Sequence, residues 1–289
     1  MTGTPGSAGA AGAAGTPGSA GAARTAFDAF AADYDAWSER PLGRVLRAAA
    51  WRWLDRSFET GDRVLELGCG SGQDAIHLAG RGVTVVATDR SSAMLETAQR
   101  NVAAAGAADL VTLGRLDMAT VGSDGWRELL PANDEAFDGA YSDFGALNCI
   151  PDRKRFGAGL ASTVRPGGRL VLVAMPPACL WEIAWHLAHG EPDIAARRFR
   201  SGAPANVGGA RVRVWYPSPG RLRTDLAPWF RPVALGPLGV VLPPSGLAGI
   251  VDSRPRLLGL LDAIERRVRD RAPFAWLADH YAFVFERQG

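Results

Sequence analysis

The sequence has little of what would place it in several large functional classes. Only three cysteines occur, Cys69, Cys149 and Cys179, odd in number and widely spaced. They make neither a disulfide framework nor a zinc set, and a reducing, cytoplasmic setting follows as the expectation. No run of about 18 apolar residues exists, so no membrane-spanning helix is expected. The N-terminus lacks a basic start followed by an apolar stretch, so a secretory signal is not expected. An excess of one charge is missing as well: 32 Lys and Arg face 30 Asp and Glu, leaving a net charge of +2. No broad field therefore points to nucleic acid or to an anionic membrane. Large side chains are nearly absent from residues 1–24, where Thr-Pro-Gly-Ser-Ala-Gly-Ala-Ala occurs at Thr4–Ala11 and again at Thr16–Ala23. Such a segment cannot offset the entropy of ordering, and it reads as a disordered low-complexity tail.

The remainder has an ordinary globular composition, with 47% apolar and 21% charged residues. A chain of 289 residues fits one large domain, or one domain with an appended lobe. The stretch from Phe27 to Trp37 sets aromatics and acids at helical spacing. After Pro41, Leu42–Phe58 places Leu42, Val45, Leu46, Ala49, Trp53 and Leu54 near one helix face. Short apolar strands then alternate with helices. Strands are predicted at Arg63–Leu67, Thr84–Thr88, Leu110–Leu113, Phe137–Tyr141 and Arg169–Ala174, the last announced by Pro166-Gly167-Gly168; helices are predicted at Asp74–Ala79 and Ser91–Ala104. This rhythm implies an α/β fold built on a doubly wound, mostly parallel sheet, with ligands at the carboxyl ends of its strands.

After Pro176-Pro177 the rhythm breaks. Helices are predicted at Cys179–His189, Pro219–Trp229 and Arg256–Arg269, and strands at Arg211–Tyr216, Val233–Val241 and Tyr281–Phe285. The expected organisation is a tail at 1–24, a core with N-terminal lid helices at 25–175, and cap insertions plus the last two strands of the same sheet at 176–289.

The decisive segment runs from Val64 to Asp74, a strand entering a turn with Gly68, Gly70 and Gly72 at alternate positions, then a helix. Glycines allow a sharp turn and a close ligand approach, and the helix start offers free N–H groups. Glu66 precedes the turn by two residues. Asp89 ends the second strand about 20 residues later, where an acid can accept ribose hydroxyls. Asp117-Met118 follows the third strand and could bracket an adenine.

Together with Pro166-Gly167-Gly168, these residues closely resemble the class I S-adenosylmethionine-dependent methyltransferases. The resemblance covers roughly Phe27 to Met175. It implies a Rossmann-like, seven-stranded sheet whose final strand is antiparallel. It also implies roles. Glu66 orients the methionine end of the cofactor, and Gly68, Cys69, Gly70 and Gly72 line its approach. Asp89 holds the ribose, Arg90 stacks near the adenine, and Asp117 with Met118 flanks the base. Ser142 and Asp143 sit near the sulfonium, and Tyr34 belongs to an N-terminal lid. S-adenosylhomocysteine is the implied product, and no metal is implied.

A nicotinamide-dependent oxidoreductase is the nearest competitor, but its Gly-x-Gly-x-x-Gly fingerprint fails because the third glycine falls one position early. Methyltransferases of base amino groups resemble one another in an Asp/Asn-Pro-Pro-aromatic motif after the fourth strand, where this chain has Ser142-Asp143-Phe144-Gly145. The acceptor is therefore expected to be a small molecule, methylated at oxygen or nitrogen, with Phe144 and Asn148 facing it. The cap is rich in aromatics, so Trp181 and Trp185 are candidates for acceptor contact, against a plain packing role. Arg197, Arg198, Arg200, Arg211 and Arg213 read as a solvated basic face. Asp143 and His186 are the candidate proton acceptors. His280 opens the last strand, and its edge of the sheet depends on the direction of that strand. Neither nucleic acid nor membrane is expected as a partner, and the protein is expected to be a monomer or homodimer. A non-catalytic cofactor-binding sensor or partner subunit is the alternative, which a cap collapsed onto the strand ends would favour. A protein methyltransferase is a weaker third reading, since it needs an open groove.

Overall fold

The computed structural model describes residues 27–28, 31–130, 136–207 and 210–289, so the expected tail at 1–24 lies outside the described residues. Helix α1 (Ala31–Ser38) and the longer α2 (Pro41–Asp55) come first. Proline at the first turn of α2 suits a position whose N–H has no helical partner. Its buried face carries Leu42, Leu46, Ala50, Trp53 and Leu54. The alternating core follows as β1 (Arg63–Leu67), α3 (Gln73–Ala79), β2 (Thr84–Asp89), α4 (Ser92–Ala104), β3 (Val111–Arg115), β4 (Phe137–Ser142), α5 (Arg153–Ala161) and β5 (Val164–Ala174). The second half holds α6 (Leu180–Ala188), α7 (Pro192–Ala195), β6 (Ala203–Val207), β7 (Ala210–Val214), α8 (Pro219–Leu226), β8 (Phe230–Leu238), α9 (Gly249–Asp252), α10 (Pro255–Val268) and β9 (His280–Arg287).

Seven strands form one sheet in the order β3-β2-β1-β4-β5-β9-β8. The first five are parallel, while β9 is antiparallel to both β5 and β8. The doubly wound sheet with an antiparallel final strand is thus present. Strand alternation splits the core into two layers. Leu65, Leu67, Phe137 and Leu172 face Phe156 and Leu160 of α5 and Leu222 and Leu226 of α8. Val64, Val85, Val171 and Val284 face Trp53 and Leu54 of α2, Leu78 of α3 and Val102 of α4. Each such aliphatic side chain, fully buried, contributes about 1.5–3 kcal/mol.

Four details differ from the sequence reading. Pro166-Gly167-Gly168 does not precede β5 but lies within it. The pairing with β4 jumps from Phe137↔Val164 to Gly139↔Arg169, so the Pro-Gly-Gly stretch loops out of the ladder. Secondly, Arg211–Tyr216 is half of a separate hairpin, β6 with β7, and helix α5 was not foreseen. Arg198 of the supposed solvated face is buried and paired with Glu182 and Asp279.

The C-terminal insertions are held by two carboxylates, a half-buried Asp252 and a buried Glu265. Asp252 of α9 accepts the Leu42 N–H at 3.1 Å and pairs with Arg40 at 2.7 Å, capping the start of α2. Glu265 of α10 accepts four successive backbone N–H groups, from Gly239 (2.9 Å), Val240 (3.1 Å), Val241 (2.7 Å) and Leu242 (3.3 Å). This turn after β8 forms an anion nest, filled by the chain's own side chain. Glu265→Ala should therefore cost about 2–4 kcal/mol, since it orphans several N–H groups at once. Urea unfolding checks this: the midpoint should fall with an unchanged slope, and an unaltered midpoint would deny the clamp any role.

Candidate functional site

Parallel strands β1–β5 bring their carboxyl ends to one edge of the sheet, where their loops gather. At the end of β1 the chain turns through Gly68 and Cys69, whose N–H groups both donate to Thr88 O, at 2.8 and 2.9 Å. Gly70 then adopts φ +53, and a Cβ there would lie 3.0 Å from the Tyr34 ring. Its lack of a side chain is what lets α1 lie over the turn. Asp89 at the end of β2 accepts the N–H of Gly70 at 3.0 Å and of Ser91 at 2.8 Å. Burial pushes its carboxyl upward in pKa, against the pull of those N–H groups. The acid thus already braces the glycine turn.

Behind the turn lies a buried charge centre. Arg47 extends from the apolar face of α2 and donates to Asp74 Oδ1 at 2.7 Å and to the Tyr34 hydroxyl at 3.3 Å. Trp51 Nε1 donates to the same Asp74 oxygen at 2.7 Å. Glu66 and Asp143 complete the group; Arg47, Glu66, Asp74 and Asp143 are 4%, 2%, 4% and 7% exposed. Burial works against the guanidinium, but Asp74 holds it charged. Burial also drives the Glu66 and Asp143 carboxyls well above the usual carboxylate range, and the neighbouring Asp74 charge adds to both shifts. Three carboxyls thus surround one cation. Among the described residues, both oxygens of Asp143, Oε2 of Glu66, Nε of Arg47 and Oγ of Ser71 have no hydrogen-bond partner. Buried polar atoms left without partners are rare in native proteins and call for a ligand or water.

The loop after β4 is strained. Phe144, at φ +45, is the one non-glycine residue with positive φ among those described. This costs about 1–2 kcal/mol and marks a functional loop. Its ring is met edge-on by Trp37 (6.2 Å between centroids) and His280 (5.7 Å), while the Arg47 guanidinium sits 5.2 Å away. The N-terminal segment closes over this centre. Asp28 accepts from Ser91 Oγ, and Asn101 Nδ2 donates to Asp35 at 3.2 Å. The element lying over the glycine turn is helix α1.

The expected site residues divide. Tyr34, Glu66, the glycine turn with Cys69, Asp89, Asp143 and Phe144 come together. Asp117 caps the turn at Met118–Thr120 through the Ala119 N–H, and Arg90 lies 3.6 Å from its other oxygen. Met118 is buried, with its sulfur 3.9 Å from where a Cβ on Gly68 would stand. Ser142 donates its hydroxyl hydrogen to Leu67 O at 2.8 Å, tying β4 to β1.

Four of the expected site residues have other partners in the structure. Asn148 engages its whole amide with backbone, donating to Met175 O (3.0 Å) and Trp215 O (2.7 Å) and accepting from Met175 N (2.9 Å). Both amide hydrogens are thus taken by the backbone. Trp181 donates to Val241 O at 2.8 Å and anchors the cap. Trp185 stacks on His189, 4.3 Å between centroids. His186 pairs with Glu191 at 2.7 Å at the end of α6, away from the charge centre.

Sequence reasoning missed Arg47, Asp74 and Asp279, and left the edge of His280 open. A signal for Arg47 existed, because a cation inside the stripe Leu42, Leu46, Ala50 is out of place on a buried face.

A model of the methyltransferase domain matches residues 64–168. A demethylmenaquinone methyltransferase of Clavibacter sepedonicus is 33% identical over 122 residues, covering 42% of this chain and 44% of the relative. One from Symbiobacterium thermophilum is 32% identical over 154 residues, covering 50% and 55%. The chain thus spans about half the length of these curated relatives. Among solved structures, the CcbJ methyltransferase of Streptomyces caelestis shares the fold at a TM-score of 0.58 and 18% identity, over 92% of this chain and 99% of that one.

The charge centre makes a prediction about stability. The Asp143 carboxyl has a higher pKa folded than unfolded. Its penalty is absent below about pH 4, the unfolded value, grows as pH rises toward the raised folded value, and is constant above it. Asp143→Asn removes that penalty. Its melting temperature should exceed the wild type's by about 2–4 °C at pH 7, corresponding to about 1 kcal/mol in a chain of this size. Calorimetry at pH 7 and pH 4 checks this: the gap should close at the lower pH, and a less stable variant at pH 7 would refute it.

Proposed function

We propose that the chain, whose residues 64–168 match a methyltransferase domain, is a class I S-adenosylmethionine-dependent methyltransferase that binds S-adenosylmethionine at this edge and transfers the methyl group to an oxygen or nitrogen of a small molecule. The observation that carries this reading is the buried excess of carboxyls over cations, with carboxyl oxygens left without partners among the described residues. Such a centre suits a ligand that brings positive charge together with one carboxylate. The methionyl end of S-adenosylmethionine has that character, with an ammonium, a sulfonium and a carboxylate. On this reading Glu66 and Asp143 take the cationic side and Arg47 the carboxylate. Asp89 and Gly70 face the ribose, and Arg90, Asp117 and Met118 the adenine. When bound, the cofactor supplies an activated methyl group that already carries its leaving group.

The residues of the chain then act by holding and aligning. Fixed alignment can supply roughly 7–11 kcal/mol of the barrier to displacement, which explains why a transfer of this kind needs few chemical groups from the protein. The carboxyls lie nine-tenths or more out of water, so they act on a cation more strongly than they would in solvent. Access requires the lid α1 with Tyr34 to lift from Gly70 and settle again, which also excludes water. The near-neutral net charge of +2 supports a small acceptor over nucleic acid. A soluble protein working in the cytoplasm as a monomer or homodimer completes the proposal.

Calorimetric titration with S-adenosylhomocysteine tests the cofactor. The wild type should bind, and Asp89→Ala should bind roughly 10- to 150-fold more weakly, corresponding to about 1.5–3 kcal/mol of charge-assisted hydrogen bonding. A folded wild type that binds neither S-adenosylhomocysteine nor S-adenosylmethionine would sink the reading. Binding of NAD or NADP in their place would transfer it to the oxidoreductases.

A further inference from the structure

Strand β9 runs against its neighbours, so its first residue lies at the edge where β1–β5 end. Leu238↔His280 and Ala174↔Tyr281 fix that placement. His280 therefore stands at the candidate site, although it comes some 130 residues after the loop it meets. Its ring lies edge-on to Phe144, 5.7 Å between centroids. Phe144 in turn is the strained residue next to Asp143, with Arg47 over its ring.

The imidazole is held from behind by a chain of buried ions. His280 Nδ1 lies 3.0 Å from Asp279 Oδ2. The other oxygen, Oδ1, accepts from Arg198 at 2.7 Å, and Arg198 also donates to the Asp279 carbonyl at 2.9 Å. Glu182 holds the same guanidinium through both carboxylate oxygens, at 2.9 and 2.7 Å. Arg198, Glu182 and Asp279 are 4%, 7% and 2% exposed, while the His280 side chain keeps 13%. Burial opposes the Asp279 charge, but His280 and Arg198 hold its carboxyl well below the usual range. An ionised Asp279 can only accept, so the neutral imidazole carries its hydrogen on Nδ1. Nε2 is left with a lone pair, and among the described residues it has no hydrogen-bond partner. Asp279 and Arg198 behind the ring, and Arg47 across Phe144, are the charged groups facing it; Leu238 opposite on β8 is apolar.

Resting on the proposed function above, we propose that His280 is the general base of the transfer, that Asp279 is its positioning residue, and that the acceptor is an aromatic hydroxyl. A base fixed in one tautomer serves an acceptor whose proton must leave. A neutral amine already presents its lone pair, whereas a phenolic oxygen is a weak nucleophile until deprotonated. The rings of Phe144, Trp37 and His280, gathered on this side, form a wall suited to a flat acceptor. In the step, the acceptor O–H bond breaks and its electron pair stays on oxygen, while Nε2 forms the new N–H bond. The oxygen pair forms the O–CH3 bond as the S–CH3 pair departs with sulfur. The imidazolium returns its proton to solvent.

Two measurements test this. Nitrogen-15 NMR on the histidine-labelled wild type reads the tautomer without any acceptor. The Nδ1–H form should dominate in His280, and the Nε2–H form, the usual one in water, would overturn the dyad. The second uses methyl-labelled S-adenosylmethionine with phenol, catechol and 1-naphthol as acceptors. His280→Ala should lower kcat by about 100- to 10,000-fold, with affinity for S-adenosylhomocysteine retained and partial rescue by added imidazole. Asp279→Asn should lower kcat less, leave KM within about threefold and displace the pH profile, which loss of packing alone would not do. Equal turnover by wild type and His280→Ala would overturn the inference. So would a protein that binds S-adenosylhomocysteine, methylates amines and leaves all three phenols untouched. Failure to bind the cofactor would instead bring down the function beneath it, and this inference with it.

Discussion

One guanidinium set among three carboxyls determines how the ligand edge is built. Arg47 cannot be buried without a counter-charge, and Asp74 supplies it from the first turn of α3. That single pair fixes α2 against the glycine turn, and Trp51 adds a second bond to the same oxygen. Glu66 and Asp143 stand buried beside it; burial first, and the Asp74 charge second, raise their pKa, and Oε2 of Glu66 and both Asp143 oxygens have no partner among the described residues. The arrangement is unfavourable for the empty protein and favourable for a cationic guest. Affinity and instability have the same source here.

The opposite side of the edge follows another rule. Where the β1–β4 side leaves buried polar atoms without partners, the β9 side gives its buried ions hydrogen-bond partners. Glu182, Arg198 and Asp279 alternate in sign and hydrogen-bond one another, and Glu265 accepts the N–H groups of the turn after β8. Balanced buried networks rigidify, and unbalanced ones await a partner. Phe144 lies between the two regions, touching Arg47 on one side and His280 on the other, in a backbone conformation that only surrounding packing can hold.

Much of this was legible in the residues. The strand-turn-glycine-helix segment from Val64, the acids Glu66 and Asp89, and the alternating rhythm through Ala174 lead to the sheet that is found. These features are local, and local periodicity is what a single sequence encodes best. What escaped was set by long-range pairing. Asp74 was one polar residue in a helix start until Arg47 met it from 27 positions away. The two cap tryptophans carried the right chemistry for acceptor contact, but Trp181 found the Val241 carbonyl and Trp185 found His189. Asn148 looked available on the loop after β4, and only the fold shows its amide filled by the backbone of Met175 and Trp215. The edge occupied by His280 depended on strand direction, which no composition reveals.

Strand β9 is last in chain order yet lies between β5 and β8. During synthesis, every other strand of the sheet leaves the ribosome before it. Until β9 arrives, β5 and β8 each present an unpaired edge, the template on which strands of other chains can dock. The ligand edge also stays incomplete, because its histidine travels on the same segment. The glycine turn and its acids are therefore made well before His280, and the eight-residue strand β9 completes the edge that they begin.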